Sequence, residues 1–147
     1  MAKTACRSTD PLGVAERVIA AYRATRRALV AKGAAPEIAR SLAGIASVAA
    51  EPMPTASKLL GNFGAVLALV KETHPSIARS IALAACRTTD PKATARQYLK
   101  NYDNVLRFVR RSDPDLAHVV ALQTCRSNDP IRWAKRFLKE QRHRATS

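Results

Sequence analysis

The chain of 147 residues is long enough for one domain with a real core, and since 47% of it is hydrophobic but only 5% aromatic, that core must consist mainly of Ala, Leu, Ile and Val. Lys and Arg number 25 against 11 Asp and Glu, so the formal charge is +14, which favours nucleic acid or an anionic membrane surface as the partner. No apolar run approaches the roughly 20 residues that span a bilayer, and the N-terminus lacks the hydrophobic segment of a signal peptide.

One phrase, Cys-Arg-Ser-Thr-Asp-Pro, ends at Pro11 and returns with small changes, ending at Pro91 and at Pro130. Prolines also recur at one even spacing in two series, one of which is Pro52, Pro91 and Pro130. Repetition at a fixed period, here about 39 residues, predicts copies of one supersecondary unit. The first interval, from Pro11 to Pro52, is longer than the others by two positions, which predicts a short insertion around residues 32–35.

The first series of helices, named A, is predicted to begin at Pro11, Pro52, Pro91 and Pro130. Most of these prolines follow an acidic residue, and Asp-Pro is typical of a helix start, because the Asp oxygen accepts from unpaired N–H groups and proline lacks the donor that would go unpaired. Apolar residues then follow all four prolines at offsets 4, 7 and 8, and offset 11 is aromatic except at Gln141; with the apolar residues found in some copies at offsets 14, 15 and 18, they trace one face of an α-helix.

The second series, named B, is predicted to begin at Pro36, Pro75 and Pro114. These segments are rich in small apolar residues, so they are expected to pack between neighbours. The three cysteines occupy one repeat position, which favours buried reduced thiols over a disulfide framework and places the chain in a reducing compartment, the cytoplasm or an organelle matrix. These cysteines are Cys6, Cys86 and Cys125.

The fold class predicted from this pattern is all-α, with seven helices in the order A-B-A-B-A-B-A. A single helical-repeat domain, 1–147, is expected to hold about 3.5 hairpins that stack into a short α-solenoid, because one hairpin cannot bury its own apolar faces. The predicted units are about 11–51, 52–90 and 91–129, a half repeat at 130–145, and a basic tail at 142–147.

The start of the B segments, Pro75-Ser76-Ile77-Ala78-Arg79-Ser80-Ile81-Ala82 in the second copy, resembles the second helix of a HEAT repeat. The resemblance implies a ladder in which an Asp of the inter-helix turn meets an Arg early in helix B. Asp113 supplies such an acid once, Arg40 and Arg79 supply the base, and His118 replaces it in the third unit. This resemblance concerns the fold and implies little about function.

Seven of the eleven acids lie at helix starts, whereas the bases cluster on the A helices away from the apolar stripe. This segregation predicts binding to nucleic acid, RNA ahead of DNA, through backbone phosphates; a merely solvated outer face is the alternative. Trp133 either stacks on a base or closes the end of the core. The predicted nucleic-acid-binding residues are Arg107, Arg110, Arg111, Arg132, Lys135, Arg136, Lys139, Arg142 and Trp133.

Arg7, Arg87 and Arg126 follow the cysteines, where a cation favours a helix C-terminus and a file of arginines can also track phosphates. No phosphate-binding glycine motif, metal-ligand spacing or catalytic set is present in the sequence, so no enzyme activity, cofactor or metal is expected. The alternative function is a protein-interaction scaffold, or a subunit of a larger ribonucleoprotein or protein assembly, that docks or self-associates through uncapped solenoid ends.

Overall fold

The computed structural model describes residues 10–146, which form seven α-helices and one short 3-10 helix and contain no strand. The predicted all-α class and the number of helices are therefore confirmed for this part of the chain. The helices are α1 (Pro11–Ala31), α2 (Pro36–Ala46), α3 (Pro52–Lys71), α4 (Ala78–Ala85), α5 (Pro91–Arg110), α6 (Ala117–Thr124) and α7 (Pro130–Thr146).

All four A helices begin at the predicted prolines. In three of them the preceding Asp caps the helix, accepting a hydrogen bond from the N–H three residues further on and so satisfying one donor of the first turn. The caps are Asp10 to Gly13 at 3.2 Å, Asp90 to Ala93 at 3.2 Å, and Asp129 to Arg132 at 3.3 Å.

Two of the three B helices begin three residues later than predicted. Only α2 begins at its proline, Pro36. Pro75 opens a 3-10 helix that ends at Ile77, and Pro114 lies in a turn before α6. The Asp113 carboxylate accepts from the N–H of Leu116 at 3.2 Å, which closes that turn, and neither of the other two starts has a side-chain cap. The first turn is thus a 3-10 turn at Pro75 and irregular at Pro114, and capping alone does not account for this, since the uncapped Pro36 begins an α-helix.

The predicted insertion near residues 32–35 is confirmed and divides into two parts. Helix α1 has 21 residues where α3 and α5 have 20, and the connection after α1 has four residues where that after α3 has three. Gly33 takes φ of +93°, and its N–H donates to the Val30 carbonyl at 2.9 Å. A glycine is suited to this turn because it has no Cβ to clash at positive φ.

A five-residue connection follows each B helix, and its hydrogen bonds recur. The N–H groups of Ala49, Thr88 and Ser127, which lie at equivalent repeat positions, each donate at 3.0 Å to a carbonyl three residues earlier. One repeat of the sequence therefore corresponds to one repeat of this local geometry.

The same connections contain the thiols. Cys86 and Cys125 are buried and free, and each Sγ donates to the carbonyl three residues earlier at 3.3 Å. Ser47 makes the equivalent bond through its hydroxyl at 3.1 Å. Burial raises the pKa of both thiols, which favours the protonated form, and the expectation of buried thiols outside any disulfide is confirmed for these two. Cys6 and Arg7 lie outside the described residues.

The chain divides into two compact units, with the boundary between Ala65 and Val66 inside α3. In the first unit α1 packs on α2, whose Leu42 and Ala43 are fully buried. In the second unit α5 packs against α4, α6 and α7, with Val105 and Val109 fully buried. The second unit therefore holds together the helices that carry most of the predicted binding residues.

Of the described helices, α3 alone is long and apolar enough to cross a membrane by length and composition, with 20 residues and a mean hydropathy of 1.2. This single helix is weak evidence for a span, so the expectation of no membrane span stays a prediction. A core helix passes the same test, and the side chains at offsets 4, 7, 11, 14 and 18 from Pro52 are buried, as the repeat pattern predicts. Those side chains are Ala56, Leu59, Phe63, Val66 and Val70.

Candidate nucleic-acid interface

Helix α7 carries six Lys and Arg residues against one acid, Glu140. An α-helix turns about 100° per residue, so five of these bases fall within an arc of roughly 120°. They are Arg132, Lys135, Arg136, Lys139 and Arg142, and all five are exposed. Ala134 and Leu138, which lie outside this arc, are buried. We call this arc the α7 basic face.

One edge of the α7 basic face meets the end of α5 in a cleft of about 480 Å³, which we call the basic groove. Four cations line it from two helices, and none of the described residues lining it is acidic. The lining residues are Phe108, Arg111, Ser112, Lys135, Leu138, Lys139 and Arg142.

The floor of the basic groove contains an aromatic ring that sequence reasoning missed. The Lys135 Nζ lies 5.7 Å from the centroid of the Phe108 ring, a cation–π distance. Phe108 falls outside the predicted apolar stripe, but it interrupts the run Arg107-Phe108-Val109-Arg110-Arg111. The sequence signal that could have revealed this ring is an aromatic residue within a cluster of bases.

The other edge of the α7 basic face borders a second cleft of about 410 Å³, which we call the Trp133 groove. The guanidinium carbon of Arg136 lies 5.2 Å from the centroid of the Trp133 ring, and Arg136 Nε donates to Glu140 at 3.4 Å. Trp133 is 47% exposed, so it does not close the end of the core, which is one of the two interpretations that the sequence left open. The groove is lined by Gln123, Thr124, Ser127, Trp133, Arg136, Phe137 and Glu140.

The remaining predicted bases lie outside both grooves. Arg107 donates to the Asn104 side chain at 2.6 Å, while Arg110 is exposed on the last turn of α5 and Arg132 on the first turn of α7. The structure therefore brings four of the nine predicted residues into the basic groove and two into the Trp133 groove, and leaves three on the helix surfaces outside them.

Two further arginine sites are present, one in each unit. In the first unit, Arg23, Arg26 and Arg27 of α1 surround Val30 in a cleft of about 420 Å³ with no aromatic lining among the described residues. In the second, Arg87 and Arg126 line an open cleft of about 770 Å³ between α4 and α6. These are the two described members of the predicted file of arginines, and they line the same cleft.

The structure also assembles a ring cluster that the sequence did not reveal, since its members lie in different helices and connections. The Tyr102 hydroxyl lies 2.7 Å from His118 Nδ1, and His74 Nε2 lies 2.9 Å from Asp103 Oδ1. His74 and His118 each meet Tyr102 edge-to-face, with centroids 5.9 Å apart. Burial, and then the negative charge of Asp103, raise the pKa of Tyr102.

The side chains of this ring cluster contact one another across separate elements, so few of their polar atoms are left to bind a ligand. The Thr73 hydroxyl lies 2.7 Å from His74 Nδ1, so both ring nitrogens of His74 have partners. His118, expected as a variant of a structural or basic position, reaches Tyr102 of α5. Within residues 10–146, no three His, Cys, Asp or Glu side chains form a group that can hold a metal ion.

Comparison of the chain with protein-family models, with curated protein sequences and with solved structures gave no match. The function is therefore argued from the arrangement of these side chains.

Proposed function

We propose that this chain is a non-catalytic helical-repeat protein that binds nucleic acid, RNA ahead of DNA, through the backbone phosphates. The observation that carries the proposal is the basic groove, in which Arg111 of one element converges with Lys135 and Lys139 of another and no described acid intervenes. A surface of this kind repels itself unless a polyanion shares the space.

The proposed architecture is a short solenoid of about 3.5 hairpins, similar to HEAT repeats. The four A-helix starts at their repeat prolines and the recurring connections at Ala49, Thr88 and Ser127 support it. In this proposal the repeat supplies the scaffold, and the last helices supply the binding surface.

The proposed mechanism is electrostatic. Each phosphate neutralised by Lys or Arg releases counterions, so log K falls linearly with log salt, by about 0.7 per contact for a single strand. If the four cations of the basic groove each meet one phosphate, their share of the slope is about 3. Because phosphate contacts carry no sequence information, affinity through this groove is expected to vary little with sequence.

The test compares two matched charge reversals. R111E/K135E/K139E removes three cations of the basic groove, and R23E/R26E/R27E makes the same charge change on α1. Binding to a fluorescent single-stranded oligonucleotide is measured by anisotropy across a salt series. The groove variant is expected to lose about 2 from the salt slope and most of its affinity, because three phosphate contacts are gone.

The α1 variant serves as the control for net charge. It should weaken binding only through the weaker long-range field, with a nearly unchanged slope. Equal losses in the two variants would show that charge alone governs binding, and no loss in the groove variant would reject the groove as the binding site.

A second candidate is docking of a protein, and an observation in the first unit favours it. Leu12, Ile19 and Val30 are 79%, 42% and 46% exposed. At 100° per residue, the three side chains leave α1 within about 20° of one another, so they form one apolar stripe. Arginines flank this stripe, so a complementary partner is an acidic protein surface with apolar side chains, and a second copy with charge +14 is disfavoured. Residues 1–9, which precede it, lie outside the described part.

Calorimetry with an acidic amphipathic helical peptide, Glu and Leu at helical spacing, tests this second candidate. Binding is expected in the wild type and in R111E/K135E/K139E, and should be lost in L12S/I19S, because the apolar contact is removed. Binding that is insensitive to L12S/I19S would reject the stripe.

A further inference from the structure

We infer that the Trp133 groove binds an unpaired base of the same strand whose phosphates cross the α7 basic face, so the preferred ligand is single-stranded. This inference rests on the proposed function. It adds a second type of contact, with a base, to a surface otherwise assigned to phosphates.

The Trp133 indole has the exposure and the position of a surface on which a base can stack. Trp133 is 47% exposed, although a large aromatic ring gains free energy by leaving water, and it lies in a cleft of about 410 Å³. That volume falls within the roughly 300–1,000 Å³ of small-molecule sites. Aromatic rings and guanidinium planes are the surfaces on which bases stack, and here Arg136 lies 5.2 Å from the indole centroid.

The Trp133 groove and the basic groove differ in the sign of the charges that line them. Glu140 lines the Trp133 groove and bonds Arg136, whereas no described acid lines the basic groove on the other edge of α7. A carboxylate repels a phosphate but accepts hydrogen bonds from the N–H donors of a base, such as the ring N–H of uracil or the amino group of cytosine. The Trp133 groove therefore suits a neutral base, and the cations beside it suit the backbone.

The Trp133 groove is continuous with the α7 basic face. Arg136 lines the Trp133 groove and also belongs to the α7 basic face, which leads around one helix to Lys135 and Lys139. An α-helix with side chains is about 10–12 Å across, so the two grooves lie within reach of a short strand. In a duplex the bases are stacked and paired, so a base reaches such a groove only when unpaired, as in the loops of RNA.

The experiment uses the single tryptophan as its own reporter. The full chain is titrated with oligouridylate, with an abasic strand of equal phosphate number, and with a blunt duplex, while intrinsic fluorescence and anisotropy are recorded. Oligouridylate is expected to quench Trp133 and to bind about fivefold to a hundredfold more tightly than the abasic strand, since one stacked base contributes that factor.

Trp133→Ala should remove this preference and leave abasic-strand affinity unchanged, whereas Trp133→Phe, which keeps a ring, should retain most of it. Val119→Ala, an exposed apolar residue of α6 that lines neither groove, is the matched control. Circular dichroism verifies that each variant is folded.

The outcomes separate the two proposals. Equal affinity for oligouridylate and the abasic strand, or a preference that survives Trp133→Ala, overturns the base site and leaves phosphate binding intact. Tighter binding of the duplex than of the single strand likewise overturns it. Absence of salt-dependent binding to all three probes overturns the proposed function itself.

Discussion

Helices α1 and α7 occupy the same place in the repeat, begin at equivalent prolines after a capping Asp, and both carry clusters of arginine. Their surroundings differ. On α1 the bases surround Val30, and the apolar Leu12 and Ile19 remain exposed. On α7 the bases face Arg111 and Phe108 at the end of α5.

In the proposed function, the number of bases on a helix does not by itself define the binding site. Three or four cations on one helix repel each other and are readily screened by salt. A second element that adds another cation and an aromatic floor creates a concave surface, where the field is focused and a strand can be held. The helix starts and capping residues that α1 and α7 share belong to the scaffold, so substitutions of such shared residues should lower the free energy of unfolding by similar amounts in both units. Only substitutions in the second unit should weaken binding to nucleic acid.

The largest expected effect tests the shared core. Leu42 and Ile81 stand six residues after equivalent prolines, one in each unit, and are 0% and 1% exposed. Leu42→Ala and Ile81→Ala should each lower the free energy of unfolding by about 2–5 kcal/mol, because each leaves a cavity. Chemical denaturation followed by circular dichroism measures this, and Val119→Ala should stay within about 0.5 kcal/mol. A large loss in one variant and a negligible loss in the other would break the equivalence.

An intermediate effect is expected at the helix caps. Asp10→Ala and Asp90→Ala should each cost about 1 kcal/mol of unfolding free energy, because the N–H groups of Gly13 and Ala93 lose their acceptor. Asp→Asn at the same positions keeps the acceptor and makes the same change in net charge. A loss of similar size in the Asn variants would mean that net charge, and not capping, is responsible.

The smallest effect concerns the position that holds Ser47 in one unit and Cys86 or Cys125 in the other. Because Ser47 already makes the equivalent bond, Cys86→Ser and Cys125→Ser should cost less than about 1 kcal/mol at neutral pH. The measurement is again chemical denaturation.

The pH dependence of the same substitutions has a definite sign. Burial raises the pKa of both thiols above 9.0, so as the pH rises through this range the unfolded chain ionises before the folded one. Stability should therefore fall above about pH 9, and this fall should be smaller in C86S/C125S. Tyr102, whose pKa is also raised, contributes a remaining decline at higher pH. An unchanged alkaline decline in the double variant would contradict the assignment.

Much of the fold was accessible from the sequence because prolines, capping acids and apolar offsets are local signals. They gave the helix class, the A-helix starts and the site of the Gly33 insertion. The B-helix starts after Pro75 and Pro114 were placed three residues early, since a proline marks the first turn but does not distinguish an α-helical turn from a 3-10 or irregular one.

The site was less accessible. The basic residues of α7 could be named from composition and helical spacing. Their meeting with Phe108, and the separation of Trp133 from the basic groove, depend on how α5 and α7 pack. The ring cluster of His74, Tyr102 and His118 brings together residues from different helices and connections, and no single-helix pattern reveals such a contact.

The recurring five-residue connections have a consequence for how this chain can change in length. Each one joins a helix end to the next proline with the same hydrogen bonds, once in every repeat. Duplicating or deleting a segment one repeat long would keep these local bonds in each connection, and the two extra residues near Gly33 show that the turn after an A helix also accommodates a change in length. A change in length by whole repeats is therefore the one that keeps the form of the five-residue connections, without altering helix α7 or its bases.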